Sequence, residues 1–417
     1  MQHTVFRTGA TSKMALVLFS GLPTVASGRT EACGKISMVL LKSIRAESFR
    51  NLHGSVDCGS GINILYGNNG QGKTNWLEAI YLLAYAKSFR TRHLHETINF
   101  TESAASMLGT VARGSGIERE LEVHLQANSK QTLVNGKRES LARYAAQLHA
   151  VCFTADELEV IRGGPEARRN FIDRGAISLH PPYVQTLSNY NKIIKQKKRL
   201  LQQTAEDRVK LEELVELLEP WNGQLVSLSA QVHRARTDYV LLLNDALEHS
   251  LFGDRISIRY VSSLEGKGDL NDYEGLMAER LKARVQAEVF AGACLIGPHR
   301  DDLNVLFGDR DLRSFGSSGQ QRSALITLDL AAISVYHSKH QDYPIFLVDD
   351  ADAELDGDRI ERLLDYLDGR TQTFLTTSKK SHFERFSQRA KFFEVCEGAV
   401  REDGSLNAAI TRAANVI

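Results

Sequence analysis

The chain has few cysteines, and none lies close to another in sequence. The five are Cys33, Cys58, Cys152, Cys294 and Cys396. Because no two stand in C-x-x-C spacing and their number is odd, the sequence offers neither the ligand pattern of a zinc site nor a disulfide framework. This use of cysteine is typical of a reducing compartment, and we expect a cytoplasmic location.

An excess of one charge is also absent, and so is a long apolar run. Lys plus Arg and Asp plus Glu both number 51, so the formal net charge is zero. That balance argues against a uniformly basic nucleic-acid-binding surface, but it leaves room for a local basic track on one face. No apolar segment approaches the roughly 20 residues of a membrane span, so no membrane-embedded part is expected.

The first 37 residues lack a regular strand or helix pattern. A short apolar run at 15–19 follows two basic residues, which is a weak signal-peptide pattern. Ser20, Gly21 and Pro23 interrupt it at once. We therefore favour a disordered extension or a start-site artefact at 1–37 over a working targeting segment, with Met38 as the alternative start.

The most informative stretch is a glycine-rich motif between a strand-like run at 61–66 and a helical pattern at 76–83. It reads G-x-x-x-x-G-K-T, the phosphate-binding loop of many ATPases, and a chance match is the alternative. The nucleotide-binding candidates are Gly67, Asn68, Asn69, Gly70, Gln71, Gly72, Lys73 and Thr74. Lys73 is expected to reach the β- and γ-phosphates of ATP and to take part in catalysis, and the Thr74 hydroxyl to ligate Mg²⁺. The free N–H groups and the dipole of the helix N-terminus favour a bound anion.

A second carboxylate-bearing motif follows an apolar strand-like run at 345–348. Asp349 and Asp350 end this run. Because a phosphate-binding loop precedes it in the sequence, the pattern predicts that Asp349 holds Mg²⁺ and that Asp350 polarises the attacking water. The alternative is a buried strand that happens to end in Asp, which is common.

A third motif opens an apolar helix about thirty residues before Asp349. Ser317, Gly319 and Gln320 form Ser-x-Gly-Gln, and a Ser hydroxyl with backbone N–H groups at a helix N-terminus makes a second anion site. An ordinary helix cap carries equal weight. The order of the motifs, with Glu354-Leu355-Asp356 last, resembles ATP-binding-cassette ATPases. That resemblance implies that Ser317 of one copy closes on the γ-phosphate held by another, so that ATP joins a homodimer and hydrolysis releases it.

The alternation of strands and helices predicts an α/β fold. We expect an ABC-ATPase-like P-loop core with an antiparallel β subdomain and an inserted helical lobe. Residues 38–180 with 290–417 would form the ATPase head, lobe I, and 181–289 the mainly helical lobe II. In lobe II a seam of apolar residues is interrupted by Pro220 and Gly223, which predicts a kink or a helix break. Strands are expected at 39–50, 54–58, 62–66, 150–153, 254–261, 302–307, 312–315, 345–348 and 373–376.

The detailed motifs resemble the bacterial RecF family from about Met38 to the C-terminal strands. They are Ser48-Phe49-Arg50-Asn51, Gly67–Asn75, Lys87-Ser88-Phe89-Arg90, Gly163-Gly164-Pro165 with Arg168-Arg169, Gly297–Asp302, Gly319–Ser323 and Asp349-Asp350 with Glu354-Leu355-Asp356. The resemblance implies a DNA-repair ATPase, active in the response to DNA damage (SOS), that dimerises with ATP and binds DNA at single-strand gaps. It also implies action with RecO and RecR in loading RecA.

Two basic clusters are candidates for contact with DNA phosphates, and no element that reads bases is visible. The first consists of Lys192, Lys195, Lys197, Lys198 and Arg199, and the second of Arg90, Arg92 and His93. Such contacts give salt-sensitive binding without sequence preference. A solvated helix face is an equal alternative for the lysines, and an internal ion pair is an alternative role for Arg300, Asp301 and Asp302.

Some positions depart from the usual cassette pattern. Asp350 replaces the common Glu, from which we expect slow turnover that DNA stimulates. His382 does not fit the usual switch histidine, and Thr377 is a candidate sensor of the γ-phosphate. A transporter's nucleotide-binding subunit, a chromosome-structuring ATPase and a non-enzymatic ATP-gated scaffold stay open as alternatives.

Overall fold

A computed structural model describes residues 37–114, 116–207 and 211–403. The expectation for residues 1–37 lies outside this range except at Ser37. The strands are β1 Ser37–Phe49, β2 Leu52–Asp57, β3 Ile62–Tyr66, β4 Ala104–Arg113, β5 Ile117–Gln126, β6 Ser129–Val134, β7 Lys137–Arg138, β8 Ala150–Phe153, β9 Ile256–Val261, β10 Asp302–Phe307, β11 Arg310–Asp311, β12 Asp342–Tyr343, β13 Ile345–Val348, β14 Thr373–Thr377, β15 Ala390–Cys396 and β16 Ala399–Glu402. The helices are α1 Lys73–Tyr85, α2 Leu141–Ala145, α3 Glu159–Arg162, α4 Pro165–Leu179, α5 Tyr183–Asp207, α6 Leu211–Leu247, α7 Tyr273–Ala291, α8 Leu312–Phe315, α9 Ser318–His340, α10 Ala351–Glu354 and α11 Gly357–Leu367.

A largely parallel sheet forms the centre of the ATPase core. Its strand order is β16-β15-β3-β14-β13-β8, and only the β15–β16 pair within it is antiparallel. All four residues of β13 are fully buried, which is why its sequence is apolar without alternation. Because β3, β14 and β13 are neighbours and parallel, the loops after them meet at one edge of the sheet.

A second, mainly antiparallel sheet contains β2, β1, β4, β5, β6 and β7, and β12 pairs with β1 in parallel. The hairpin between β6 and β7 turns at Asn135 and Gly136, whose φ angles of 51° and 70° match the type I′ turn that an Asn-Gly pair favours. Helix α1 packs between the two sheets, since its residues Trp76 and Leu83 share one apolar cluster with β1, β4, β13 and β14. The α/β core and the antiparallel subdomain are therefore both present as expected.

Two long helices, α5 and α6, form most of the helical insertion. Helix α6 continues through Pro220, so the expected helix break is wrong. A proline removes one backbone hydrogen bond, and the fully buried Leu218 and Leu225 anchor the helix on both sides of that position. Leu225 and Leu243 belong to the same apolar cluster as Leu325 of α9. The division into lobes I and II stays a prediction.

The expected strand at 312–315 is also wrong, because these residues form the short helix α8. The Asp311 side chain accepts a hydrogen bond from the Ser314 backbone N–H at 3.0 Å and caps this turn. The local capping signal therefore outweighs the apolar alternation. None of the described helices is long and apolar enough to cross a membrane.

Candidate nucleotide-binding site

The phosphate-binding loop joins β3 to α1, as its sequence predicts. Gly70 and Gly72 have φ angles of 81° and 107°, in the region that favours glycine. Gly67, with φ of 153°, lies so close to β15 that a Cβ there would come within 2.4 Å of the Val395 carbonyl oxygen. The loop thus needs glycine at these positions for both conformation and packing.

Lys73, the first residue of α1, is only 6% exposed. Its Nζ donates hydrogen bonds to the carbonyl oxygens of Gly67 at 2.8 Å and Asn68 at 3.0 Å. These bonds hold the ammonium group inside the curve of the loop. A cation at this place, together with the free N–H groups that begin α1, makes an anion-binding site.

A cluster of three oxygen-bearing side chains lies at the meeting edge of the parallel strands. The Thr74 hydroxyl lies 2.9 Å from Oδ1 of Asp349, and the Thr376 hydroxyl lies 2.6 Å from the same oxygen. Burial raises the pKa of Asp349 above its ordinary value, and the hydrogen bonds from Thr376 and then Thr74 oppose this rise. A hydroxyl and a carboxylate are oxygen ligands of the kind that Mg²⁺ uses beside phosphates, so Thr74 and Asp349 fit a Mg²⁺–nucleotide site.

Asp350 follows Asp349 in an unusual backbone conformation. Its φ and ψ are 48° and 49°, and its backbone N–H donates to the Thr376 hydroxyl at 2.8 Å. A non-glycine residue in this region is strained, and such residues cluster at functional sites. The bend leaves the Asp350 side chain exposed beside the oxygen cluster.

Comparison with known proteins identifies the family to which this site belongs. Residues 40–400 match the family model described as the RecF/RecN/SMC N-terminal domain. The DNA replication and repair protein RecF of Ruminiclostridium cellulolyticum is 32% identical over 373 residues, which cover 87% of this chain and 99% of that protein. RecF of Streptococcus agalactiae is 34% identical over 368 residues, covering 86% and 97%. The chain belongs to the RecF family.

Solved structures agree with this assignment. A recombination mediator protein RecF with ATP, described as part of the RecFOR pathway, has a TM-score of 0.82 and 28% identity and covers 90% of this chain and 100% of its own. A RecF structure described as RecF-ATPrS has a TM-score of 0.79 and the same identity, with coverage of 88% and 98%. The Smc head domain of Pyrococcus furiosus, at a TM-score of 0.51 and 14% identity, is similar in fold alone.

Membership in the RecF family decides against the transporter subunit among the alternatives. This chain is an ATP-binding protein of DNA replication and repair. Its ABC-ATPase-like fold agrees with the prediction from the motifs.

The Ser-x-Gly-Gln segment lies at the N-terminus of α9 and forms a complete capping box. The Ser317 hydroxyl accepts from the Gln320 backbone N–H at 3.3 Å, and the Gln320 side chain accepts from the Ser317 N–H at 2.9 Å. Ser317, Gly319 and Gln320 are all exposed. In the described part of the chain, the recorded hydrogen bonds of Ser317 and Gln320 involve this segment and not the P-loop. Contact of Ser317 with a partner's nucleotide stays a prediction.

Sequence reasoning missed Thr376 and favoured its neighbour. The Thr377 hydroxyl donates to Asp352 at 2.8 Å, whereas Thr376 contacts the carboxylate of Asp349. Both threonines are fully buried. Only the register of β14 between β3 and β13 distinguishes them, and a single sequence gives no sign of that register.

The two basic clusters contain both a buried, ion-paired residue and residues exposed to solvent. Lys197 is fully buried, with its Nζ 2.7 Å from Oε2 of Glu288 on α7, so its proposed contact with DNA is wrong. The rest of that cluster is exposed, namely Lys192, Lys195, Lys198 and Arg199. Arg90 donates to the Asn75 side chain at 2.9 Å, and Arg92 pairs with Glu166 at 2.8 Å.

The Gly297–Asp302 motif is structural, as the alternative reading expected. Asp302 accepts two hydrogen bonds from the nearly buried guanidinium of Arg168, at 2.7 and 3.0 Å. Asp301 is fully buried and accepts from the Ser263 backbone N–H at 2.6 Å. Arg300 donates to the Cys294 carbonyl oxygen at 3.1 Å. The motif thus ties α4 to the start of β10.

Proposed function

We propose that this chain is a slow, DNA-stimulated ATPase that dimerises when it binds Mg²⁺-ATP. The observation that carries the proposal is the cluster of Thr74, Asp349 and Thr376 at the mouth of the phosphate-binding loop. A bound Mg²⁺ would neutralise the charge that develops on the phosphates during hydrolysis. Lys73 binds the β- and γ-phosphates, and Thr74 and Asp349 are the protein ligands of the metal.

Asp350 is the residue that we propose for orienting the attacking water. Its exposed carboxylate follows the metal-binding Asp349 directly, and its strained backbone fixes the direction in which it leaves the strand. An aspartate is one methylene shorter than the glutamate common in cassette ATPases, which supports slow turnover. Slow hydrolysis then sets the lifetime of the dimer and does not drive mechanical work.

The physiological role that we propose is to bind DNA at single-strand gaps and, together with RecO and RecR, to help load RecA there. The RecF relatives, two of them described within the RecFOR pathway, support this role. The exposed Lys192, Lys195, Lys198 and Arg199 on α5 support phosphate contact without base reading. The second copy of the chain would supply Ser317, Gly319 and Gln320 to the γ-phosphate.

Steady-state ATP hydrolysis with and without gapped DNA tests this function. We expect slow turnover that gapped DNA accelerates, and loss of nearly all turnover in Lys73→Met. Asp350→Asn keeps the size of the side chain and should retain ATP binding while losing about two orders of magnitude in rate, the usual share of a general base. Fast turnover that ignores DNA, or full activity in Asp350→Asn, would contradict the proposal.

A further inference from the structure

We propose that Asn51 and the turn between β15 and β16 are positioning residues for the phosphate-binding loop. They hold the Gln71–Gly72 peptide so that its N–H faces the phosphates of the nucleotide. This inference rests on the proposed function, because it concerns how the same site binds ATP. It assigns a role in nucleotide affinity to Asn51, which precedes the loop, and to a turn more than 300 positions after it.

Three segments meet at the outer side of the loop. The Gly398 backbone N–H donates to the Gln71 carbonyl oxygen at 2.8 Å, and the Asn51 side-chain amide donates to the same oxygen at 3.4 Å. The Glu397 backbone N–H donates to the Gln71 side-chain oxygen at 2.7 Å. Gln71 is thus held from the side by both its backbone and its side chain.

Because the Gln71 carbonyl is held in place, the direction of the Gly72 N–H in the same peptide unit is fixed as well. In a trans peptide the carbonyl C=O and the following N–H point in opposite directions. Because the Gln71 carbonyl points to Gly398 and Asn51, the Gly72 N–H must point to the other side, into the loop. Within the described residues this N–H donates no hydrogen bond. A preorganised N–H costs no rearrangement when a phosphate oxygen arrives.

Close packing leaves no freedom for the turn to move away. Gly398 has a φ of 87°, and a Cβ there would lie 1.9 Å from the Asn51 carbonyl oxygen. A Cβ on Gly72 would lie 2.9 Å from the Asn51 side-chain oxygen. The buried Trp76 of α1 donates its indole N–H to the Gly398 carbonyl oxygen at 3.0 Å. Both backbone polar groups of Gly398 are therefore held, the N–H by Gln71 and the C=O by Trp76.

The matched pair Gly398→Ala and Gly369→Ala separates positioning from general strain. Gly369 also has a positive φ, of 69°, but nothing lies within 4 Å of its added Cβ. Both variants suffer the same kind of backbone strain, and only Gly398→Ala pushes Asn51 and the loop apart. We expect Gly398→Ala to weaken ATP and ADP binding about tenfold, the worth of one hydrogen bond to a charged group. Gly369→Ala should bind as the wild type does.

A split between KM and kcat completes the test. For Gly398→Ala we expect the KM for ATP to rise about tenfold while kcat at saturating ATP stays within about twofold, since the catalytic carboxylates are untouched. Should Gly398→Ala fail to fold, Trp76→Phe removes the bond to Gly398 and Asn51→Ala removes the bonds to Gln71 and Asn75. Both variants should shift KM in the same direction. Equal nucleotide affinity in Gly398→Ala and Gly369→Ala, or a fall in kcat at constant KM, would overturn the inference. A wild type that binds no ATP would instead refute the proposed function.

Discussion

The Thr376 hydroxyl bonds both to the carboxylate of Asp349, our proposed metal ligand, and to the backbone of Asp350, our proposed water-orienting residue. The hydroxyl donates to Asp349 at 2.6 Å and accepts from the Asp350 N–H at 2.8 Å. Thr376→Val keeps the shape of the residue but removes both bonds, so both carboxylates lose their orientation. We expect turnover to fall about tenfold or more, because removal of an interaction of about 1.4 kcal/mol changes a rate tenfold.

Thr373→Val is the control for this prediction. Thr373 lies on the same strand and is equally buried, but its hydroxyl contacts the Thr371 carbonyl oxygen and not the oxygen cluster. ATP hydrolysis and thermal unfolding of both variants separate catalysis from packing. Similar activity losses in the two variants would assign Thr376 to the stability of β14 alone.

His149 makes the free energy of unfolding depend on pH. It is 2% exposed, and burial, followed by the charges of His340 and Arg113, lowers its pKa to about 3. An unfolded histidine titrates near pH 6.5. As the pH falls below that value the unfolded chain gains a proton that the folded chain does not, so this residue lowers stability from about pH 6.5 down to about pH 3.

Substitution His149→Gln should therefore flatten the pH dependence of unfolding. We expect the free energy of unfolding to fall less steeply with acid, by about 1.4 kcal/mol per pH unit, between about pH 6 and pH 4. Urea denaturation at several pH values measures this slope. The same substitution at the exposed His382 should leave it unchanged, and identical slopes for wild type and His149→Gln would contradict the assignment.

Among the elements, the sequence predicts best those that local physics determines. The bounds of β3 and β8 match, because apolar runs next to glycines or polar turns define them. Of the kink or helix break predicted at Pro220, the break is absent, since tertiary packing of α6 overrides a local breaker. Lys197 misled the prediction as well, because only the packing of α5 against α7 reveals its buried partner Glu288. Long-range pairing, which also sets the position of Thr376, is what a single sequence leaves out.

The ion pair between Lys197 and Glu288 joins α5 to α7 beside a small apolar cluster. Both side chains are fully buried, and Glu288 also accepts from the Leu295 backbone N–H at 2.8 Å. Glu288→Ala would leave the Lys197 ammonium buried and unpaired. We expect a loss of about 3 to 5 kcal/mol in the free energy of unfolding, measured with urea.

The double variant Lys197→Met with Glu288→Leu is the counterpart. Apolar side chains of similar volume need no partner, so the double variant should recover most of the lost stability. A double variant as unstable as Glu288→Ala would mean that the bond to Leu295, rather than the ion pair, carries the energy.

For the whole molecule, the proposed function requires that one copy of the chain complete the nucleotide site of another. The P-loop and the oxygen cluster lie at the edge of the parallel sheet, while Ser317, Gly319 and Gln320 are exposed at the start of α9. Ser317 already serves as a helix cap. A substitution that only removes its hydroxyl would therefore remove the cap and any nucleotide contact together. A useful variant must keep the cap and change only what a phosphate encounters.

Ser317→Asp meets that condition, because aspartate caps helices as well as serine but repels a phosphate. By light scattering, we expect a dimer with ATP and monomers with ADP or without nucleotide. Ser317→Asp and Ser317→Arg should both stay monomeric with ATP, as should Lys73→Met, which loses the phosphate contact. Ser129→Arg, at the exposed serine that begins β6, should dimerise normally. If Ser317→Asp dimerised with ATP as the wild type does, the segment would be a helix cap and no more, and a wild type that stayed monomeric with ATP would remove the shared site from the mechanism.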